Sequence, residues 1–118
     1  MISRLFFLTL ISLSILSCNH KELDLPNFDE SAWQKDKDGC DGIRAGMRDN
    51  LIKVKDGLKG LNGDEVTSIL GKPNKTDLVS RNQKYFIYDL SCRKELAETA
   101  TLSIRFNATG LAYEVVVY

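Results

Sequence analysis

The chain has 118 residues, with 16 basic and 16 acidic side chains and a single histidine, so its formal charge at neutral pH is zero. That balance, without a basic stripe, argues against nucleic acid as a partner and against electrostatic adsorption to an anionic membrane. The length allows one domain with a thin core, the kind that gains most from a covalent staple.

Residues 1–17 read as a targeting segment. Arg4 supplies a positive start, and Leu5 to Leu16 is an apolar run of about a dozen residues. A helix needs about 20 residues to cross a bilayer of ~30 Å, so this run is a secretory signal rather than a span. Ile15-Leu16-Ser17-Cys18 resembles the bacterial lipobox. The resemblance implies cleavage before Cys18 and acylation of its thiol and new amine; the alternative is a plain signal peptide followed by a chance cysteine. No cofactor is expected beyond this covalent lipid, whose three acyl chains hold far more firmly than one. Asn19 after the cysteine implies, by the sorting pattern of Gram-negative lipoproteins, the bacterial outer membrane and most simply its periplasmic face. Lys21-Glu22-Leu23-Asp24 loosely resembles a signal for display on the cell surface.

Residues 18–30 form a polar tether, and His20 within it has no nucleophile or carboxylate arrangement around it. With Cys18 assigned to lipid, Cys40 and Cys92 remain in an oxidising compartment, where an even pair is most simply one disulfide. It closes a loop of about fifty residues, worth roughly 4 kcal/mol by the chain-entropy argument. The redox-active alternative lacks a Cys-x-x-Cys pair, and a metal site lacks further ligands.

The domain proper is expected over 31–118. Phe28 and Trp33 are candidate core anchors beside its first helix. Asp36-Lys37-Asp38-Gly39-Cys40-Asp41-Gly42 looks briefly like a calcium loop, but positions 5, 6 and 12 would be Cys40, Asp41 and Met47, which fails the pattern. The spacing of Ile43, Met47, Leu51, Val54 and Leu58 predicts a helix from about Asp41 to Lys59, with Arg44 and the other charges mostly outside its apolar stripe. A second, short helix is fully punctuated: Asn62 as N-cap, Glu65 three residues on for a capping box, Val66, Ile69 and Leu70 on one face, then Gly71 and Pro73 as the stop. Beyond Pro73 the period changes to two. Strands are expected at Thr76–Ser80, Lys84–Leu90, Thr99–Phe106 and Leu111–Tyr118, the last with Leu111, Tyr113, Val115 and Val117 on one face. Asn107-Ala108-Thr109-Gly110 is the closing hairpin turn.

Leu61 through Pro73, the aromatic strand Tyr85-Phe86-Ile87-Tyr88, and the hairpin from Arg105-Phe106 to Glu114-Val115 together resemble the SmpA/OmlA (BamE) lipoprotein family and the related fold of the β-lactamase inhibitor protein. The resemblance implies an α+β domain in which two antiparallel N-terminal helices pack on a three- or four-stranded antiparallel sheet. The helix from Asp41 and the paired cysteines depart from BamE proper and mark a divergent branch. A member would bind and steady an envelope protein, as BamE does within the β-barrel assembly machinery. Tyr85, Tyr88, Tyr113 and Tyr118 are the candidate partner-binding residues, since aromatics are enriched at interface hot spots. Inhibition of an envelope enzyme, or capture of a cell-wall ligand, is the alternative. No nucleophile–base pair or ligand cluster supports catalysis; Asp64 and Glu65, adjacent on a helix, do not face each other.

Overall fold

The computed structural model describes residues 25–79, 83–92 and 100–118. The expected signal segment and Cys18 lie outside them. Four short helices, α1 (Glu30–Lys35), α2 (Ile43–Gly46), α3 (Arg48–Val54) and α4 (Gly63–Leu70), precede four strands, β1 (Lys75–Val79), β2 (Gln83–Asp89), β3 (Thr101–Phe106) and β4 (Ala112–Val117). The strands form one antiparallel sheet in the order β1-β2-β3-β4. The architecture is thus α+β, with four helices where two were expected.

Alternation along the strands sets the two faces of the sheet. Phe86 and Tyr88 of β2, Leu102, Ile104 and Phe106 of β3, and Ala112 and Val115 of β4 are buried on the inner side. They meet Trp33, Leu51, Leu58, Val66, Ile69 and Leu70 from the helical layer in one continuous core. Leu25 and Phe28 join that core. The folded unit therefore includes part of the stretch expected as tether, because these two apolar side chains find room against the helical layer. Leu78 faces the helix side of β1 yet is 83% exposed, so the helical layer stops short of that edge.

Helix α4 forms as its punctuation dictates. The Asn62 side chain accepts from the Glu65 N–H at 2.8 Å, and the Glu65 carboxylate accepts from the Asn62 N–H at 3.1 Å. Gly60 and Leu61 just ahead of it exchange backbone hydrogen bonds with Ala112, tying the helix start to β4. At the other end Gly71 has φ +76° and sends its N–H back to Thr67, a conformation that a residue with a Cβ adopts at a cost. The last carbonyls are taken by side chains from elsewhere. Gln34 donates to Ile69 at 2.9 Å, Trp33 Nε1 to Leu70 at 2.9 Å, and the Tyr88 hydroxyl to Gly71 at 2.8 Å.

The segment expected as one helix from Asp41 to Lys59 is instead broken. Helices α2 and α3 are separated at Met47, and a 3-10 turn (Lys55–Leu58) follows. Gly46 and Gly57 weaken a continuous helix there. The apolar stripe also starts differently, for Ile43 is 36% exposed while Arg44 is 2% exposed. Arg44 turns inward because its guanidinium finds the Trp33 ring at 4.3 Å and carbonyl oxygens to receive its N–H groups. Asp36, also buried, accepts from the backbone N–H groups of Asp41 at 2.9 Å and Arg44 at 3.0 Å, so it supplies the cap that α2 lacks at Gly42.

Between Asp36 and Asp41 the chain turns tightly against the end of β2. A Cβ on Gly39 would lie 2.8 Å from the Leu90 carbonyl carbon and the Ser91 nitrogen, so only glycine allows this approach. It brings Cys40 to Cys92, and the two are joined by a disulfide with Cα atoms 4.9 Å apart.

Burial by itself pushes the Asp36 carboxyl up, but hydrogen bonds from the N–H groups of Arg44, Asp41 and Ile43, with the Arg44 charge, outweigh it and hold the carboxyl below its ordinary value of 3.8. Its stabilising contribution is therefore full above that value and drains away as pH falls through the lower, folded one. Denaturant titrations across this range should show stability falling with acid in the native chain and a shallower fall in Asp36→Asn.

Candidate functional site

The outer face of the sheet is bare among the described residues: no helix packs on it. Its side chains follow from the register. One row across the four strands runs Asp77, Tyr85, Arg105, Glu114, and the next runs Lys75, Ile87, Ser103, Val116. This is the polar face that alternation in β3 assigned to Thr101, Ser103 and Arg105.

A β-bulge gives the face its centre. Arg105 pairs with Glu114 but Phe106 pairs with Ala112, so Tyr113 is the extra residue. Bulges re-aim side chains, and here Ala112 turns into the core while Tyr113 becomes 39% exposed. The expectation of Leu111, Tyr113, Val115 and Val117 on one face fails for this reason; Leu111, also 39% exposed, precedes the strand. The Arg105 guanidinium then lies over both the Tyr85 ring, at 5.4 Å, and the Tyr113 ring, at 5.3 Å. The Gln83 side-chain oxygen fixes it further, accepting from Nε at 3.1 Å and Nη2 at 2.6 Å. Its third nitrogen, Nη1, makes no hydrogen bond among the described residues.

The expected site residues thus divide. Tyr85 and Tyr113 meet on the outer face around Arg105. Tyr118 is 53% exposed and follows β4 on the same side, its N–H donating to the Thr101 carbonyl at 2.8 Å. Tyr88 is not on that face. It is fully buried on the inner side, where its ring meets that of Trp33 in a tilted contact at 6.1 Å and its hydroxyl caps α4; burial pushes its hydroxyl well above the ordinary tyrosine value. Cys40 and Cys92 form the disulfide, and Cys18 lies outside the described residues. Sequence reasoning placed no weight on Gln83, which precedes the strand expected from Lys84 but opens β2 here, or on Arg105, although alternation with Ile104 and Phe106 puts Arg105 on the polar face.

The described residues hold no group of three or more histidine, cysteine, aspartate or glutamate side chains that could bind a metal, and no helix long and apolar enough to cross a membrane. No family model, curated protein or solved structure matches the chain.

The two tyrosine sites should separate in stability measurements. Tyr88→Phe leaves the Gly71 carbonyl without its donor and should cost roughly 1–2 kcal/mol. Arg105→Ala removes a half-buried contact with two rings and should cost about 1 kcal/mol or less; chemical denaturation of both variants checks the contrast.

Proposed function

We propose that this chain is a lipid-anchored protein of the bacterial cell envelope that acts without catalysis, by binding another envelope protein on the outer face of its sheet. The anchor in this reading is Cys18, within Ile15-Leu16-Ser17-Cys18, and the membrane is the outer one. The observation that carries the binding face is the Tyr85–Arg105–Tyr113 stack, held rigid by Gln83 on a surface that no other described element covers. Tyrosine and arginine are the residue types that dominate interface hot spots, and side chains already fixed in place lose little entropy on binding. Charge on this face is mixed, with the Lys75–Asp77 ion pair at 3.5 Å and Glu114 beside Arg105, which suits a protein surface better than a polyanion. The resemblance of Leu61–Pro73 and the strands to the SmpA/OmlA (BamE) family makes outer-membrane protein assembly the first process in which to seek the partner.

A tagged chain should recover a partner after mild cross-linking in envelopes, read by mass spectrometry. The Arg105→Ala/Tyr113→Ala double variant should recover it with affinity lowered about tenfold or more, equivalent to 1.4 kcal/mol. Undiminished recovery would remove the outer face from the proposal. Cys18→Ala should release the chain from the membrane fraction, and unchanged fractionation would remove the anchor.

A further inference from the structure

A cleft of about 480 Å³ lies between α1 and the loop that follows α4; Gln34, Lys37, Asp38, Arg44, Lys72 and Asn74 are among its walls. Arg44 is its deepest charge. Only 2% of the residue is exposed, and a buried charge is normally paired with an opposite one. Arg44 is attracted by Asp36, Asp89 and Asp38, but none of them is at ion-pair distance: the ion pairs among the described residues are Lys55–Asp56, Lys59–Asp56 and Lys75–Asp77. The nearby Asp36 carboxylate accepts from backbone N–H groups rather than from the guanidinium.

Neutral groups hold the guanidinium instead. Nε donates to the Trp33 carbonyl at 3.1 Å, and Nη1 donates to Asn74 Oδ1 at 3.1 Å and to the Asp89 carbonyl at 3.3 Å. Asn74 is itself fixed, giving its amide N–H to the Lys37 carbonyl at 2.7 Å and accepting from the Asp89 N–H at 2.9 Å. The remaining nitrogen, Nη2, has no partner among the described residues. No side-chain nitrogen fully buried among them is left unsatisfied, so Nη2 is not sealed from solvent, and Arg44 is one of the residues that line the cleft. Lys37 and Lys72 stand on the same walls without ion pairs among the described residues, and Asp38 is the one acid among the cleft's lining residues, while Asp36 and Asp89 also act on the Arg44 charge.

We propose that this cleft binds the oxyanion group of a small molecule, a phosphate or a carboxylate, with Arg44 Nη2 as the buried donor and Lys37 and Lys72 closing over the charge. A guanidinium fixed by three hydrogen-bond acceptors and an aromatic ring is pre-organised for such a group, and a charge-assisted bond at a partly desolvated site is stronger than one on the surface. The free nitrogen is a single one, so the arginine gives its two N–H donors from one point rather than a two-nitrogen fork, and the lysines complete the recognition as point charges.

Trp33 is the only tryptophan in the chain, and its ring lies 4.3 Å from the Arg44 guanidinium carbon, so its fluorescence reports on the site. The detergent-purified full chain would be titrated at constant ionic strength with inorganic phosphate and, separately, with succinate. The expected result is a saturable change with at least one of them, with a Kd of about 1 mM or below; the anion that saturates identifies the source. Because Arg44 variants risk unfolding, the comparison is Lys37→Ala/Lys72→Ala, which alters only exposed positions and should weaken binding about tenfold. A response to neither anion beyond that of sodium chloride, or equal affinity in the double variant, would overturn the proposal.

Discussion

The last turn of α4 ends inside the protein, and its carbonyl oxygens have no intrahelical donors. A helix terminus buried without partners is costly, and much of the surrounding architecture supplies them. Gln34 and Trp33 reach across from α1, and Tyr88 reaches up from β2, to take the oxygens of Ile69, Leu70 and Gly71 in succession. These three bonds fix where α1 lies, how β2 passes beneath it, and why Tyr88 belongs to the core rather than to the surface.

Trp33 then carries a second obligation. With its indole nitrogen spent on α4, its face and its carbonyl receive Arg44, and that charge sets the position of α2 and of the Asp36 turn. The disulfide sits at the end of this chain of dependence. Gly39 allows the turn to touch the end of β2, and the Cys40–Cys92 link locks that contact. The opposite end of α4 is joined to β4 through Leu61 and Ala112, so one short helix ties α1 and β2 at its C-terminus to β4 at its N-terminus. The helical layer is thereby committed to the inner face of the sheet, and among the described residues the outer face is left bare.

Local rules made some of this legible in the sequence. The α4 cap, its glycine stop, the strand periods and the cysteine pairing each depend on residues close together or on a count, and each can be read without knowing the fold. The rest depends on contacts between segments far apart. Nothing near Arg44 signals that a tryptophan face and three oxygens await it, so periodicity put Ile43 inside and arginine outside. The bulge at Tyr113 is equally silent, since a strict alternation fits Leu111 to Val117 as well as the true register does. Tyr88 differs from Tyr85 only in which side of β2 it occupies, and that side was set by packing rather than by composition. The outer face was half visible: alternation assigned Arg105 to it, but only the bulge brings Tyr113 alongside.

A protein built this way has a rigid inner side and an uncovered sheet surface whose central arginine is already held between two rings. In the function proposed above, this surface meets another protein while the chain is held at the membrane. The most direct measurement places a photo-crosslinking amino acid at Tyr113 in intact envelopes, with the same amino acid at Ile52, which is 40% exposed on the helical side, as the comparison. The account predicts a protein adduct from position 113 and none from 52. An adduct from 52 alone, or none from 113 in cells that contain the membrane-anchored chain, would contradict it.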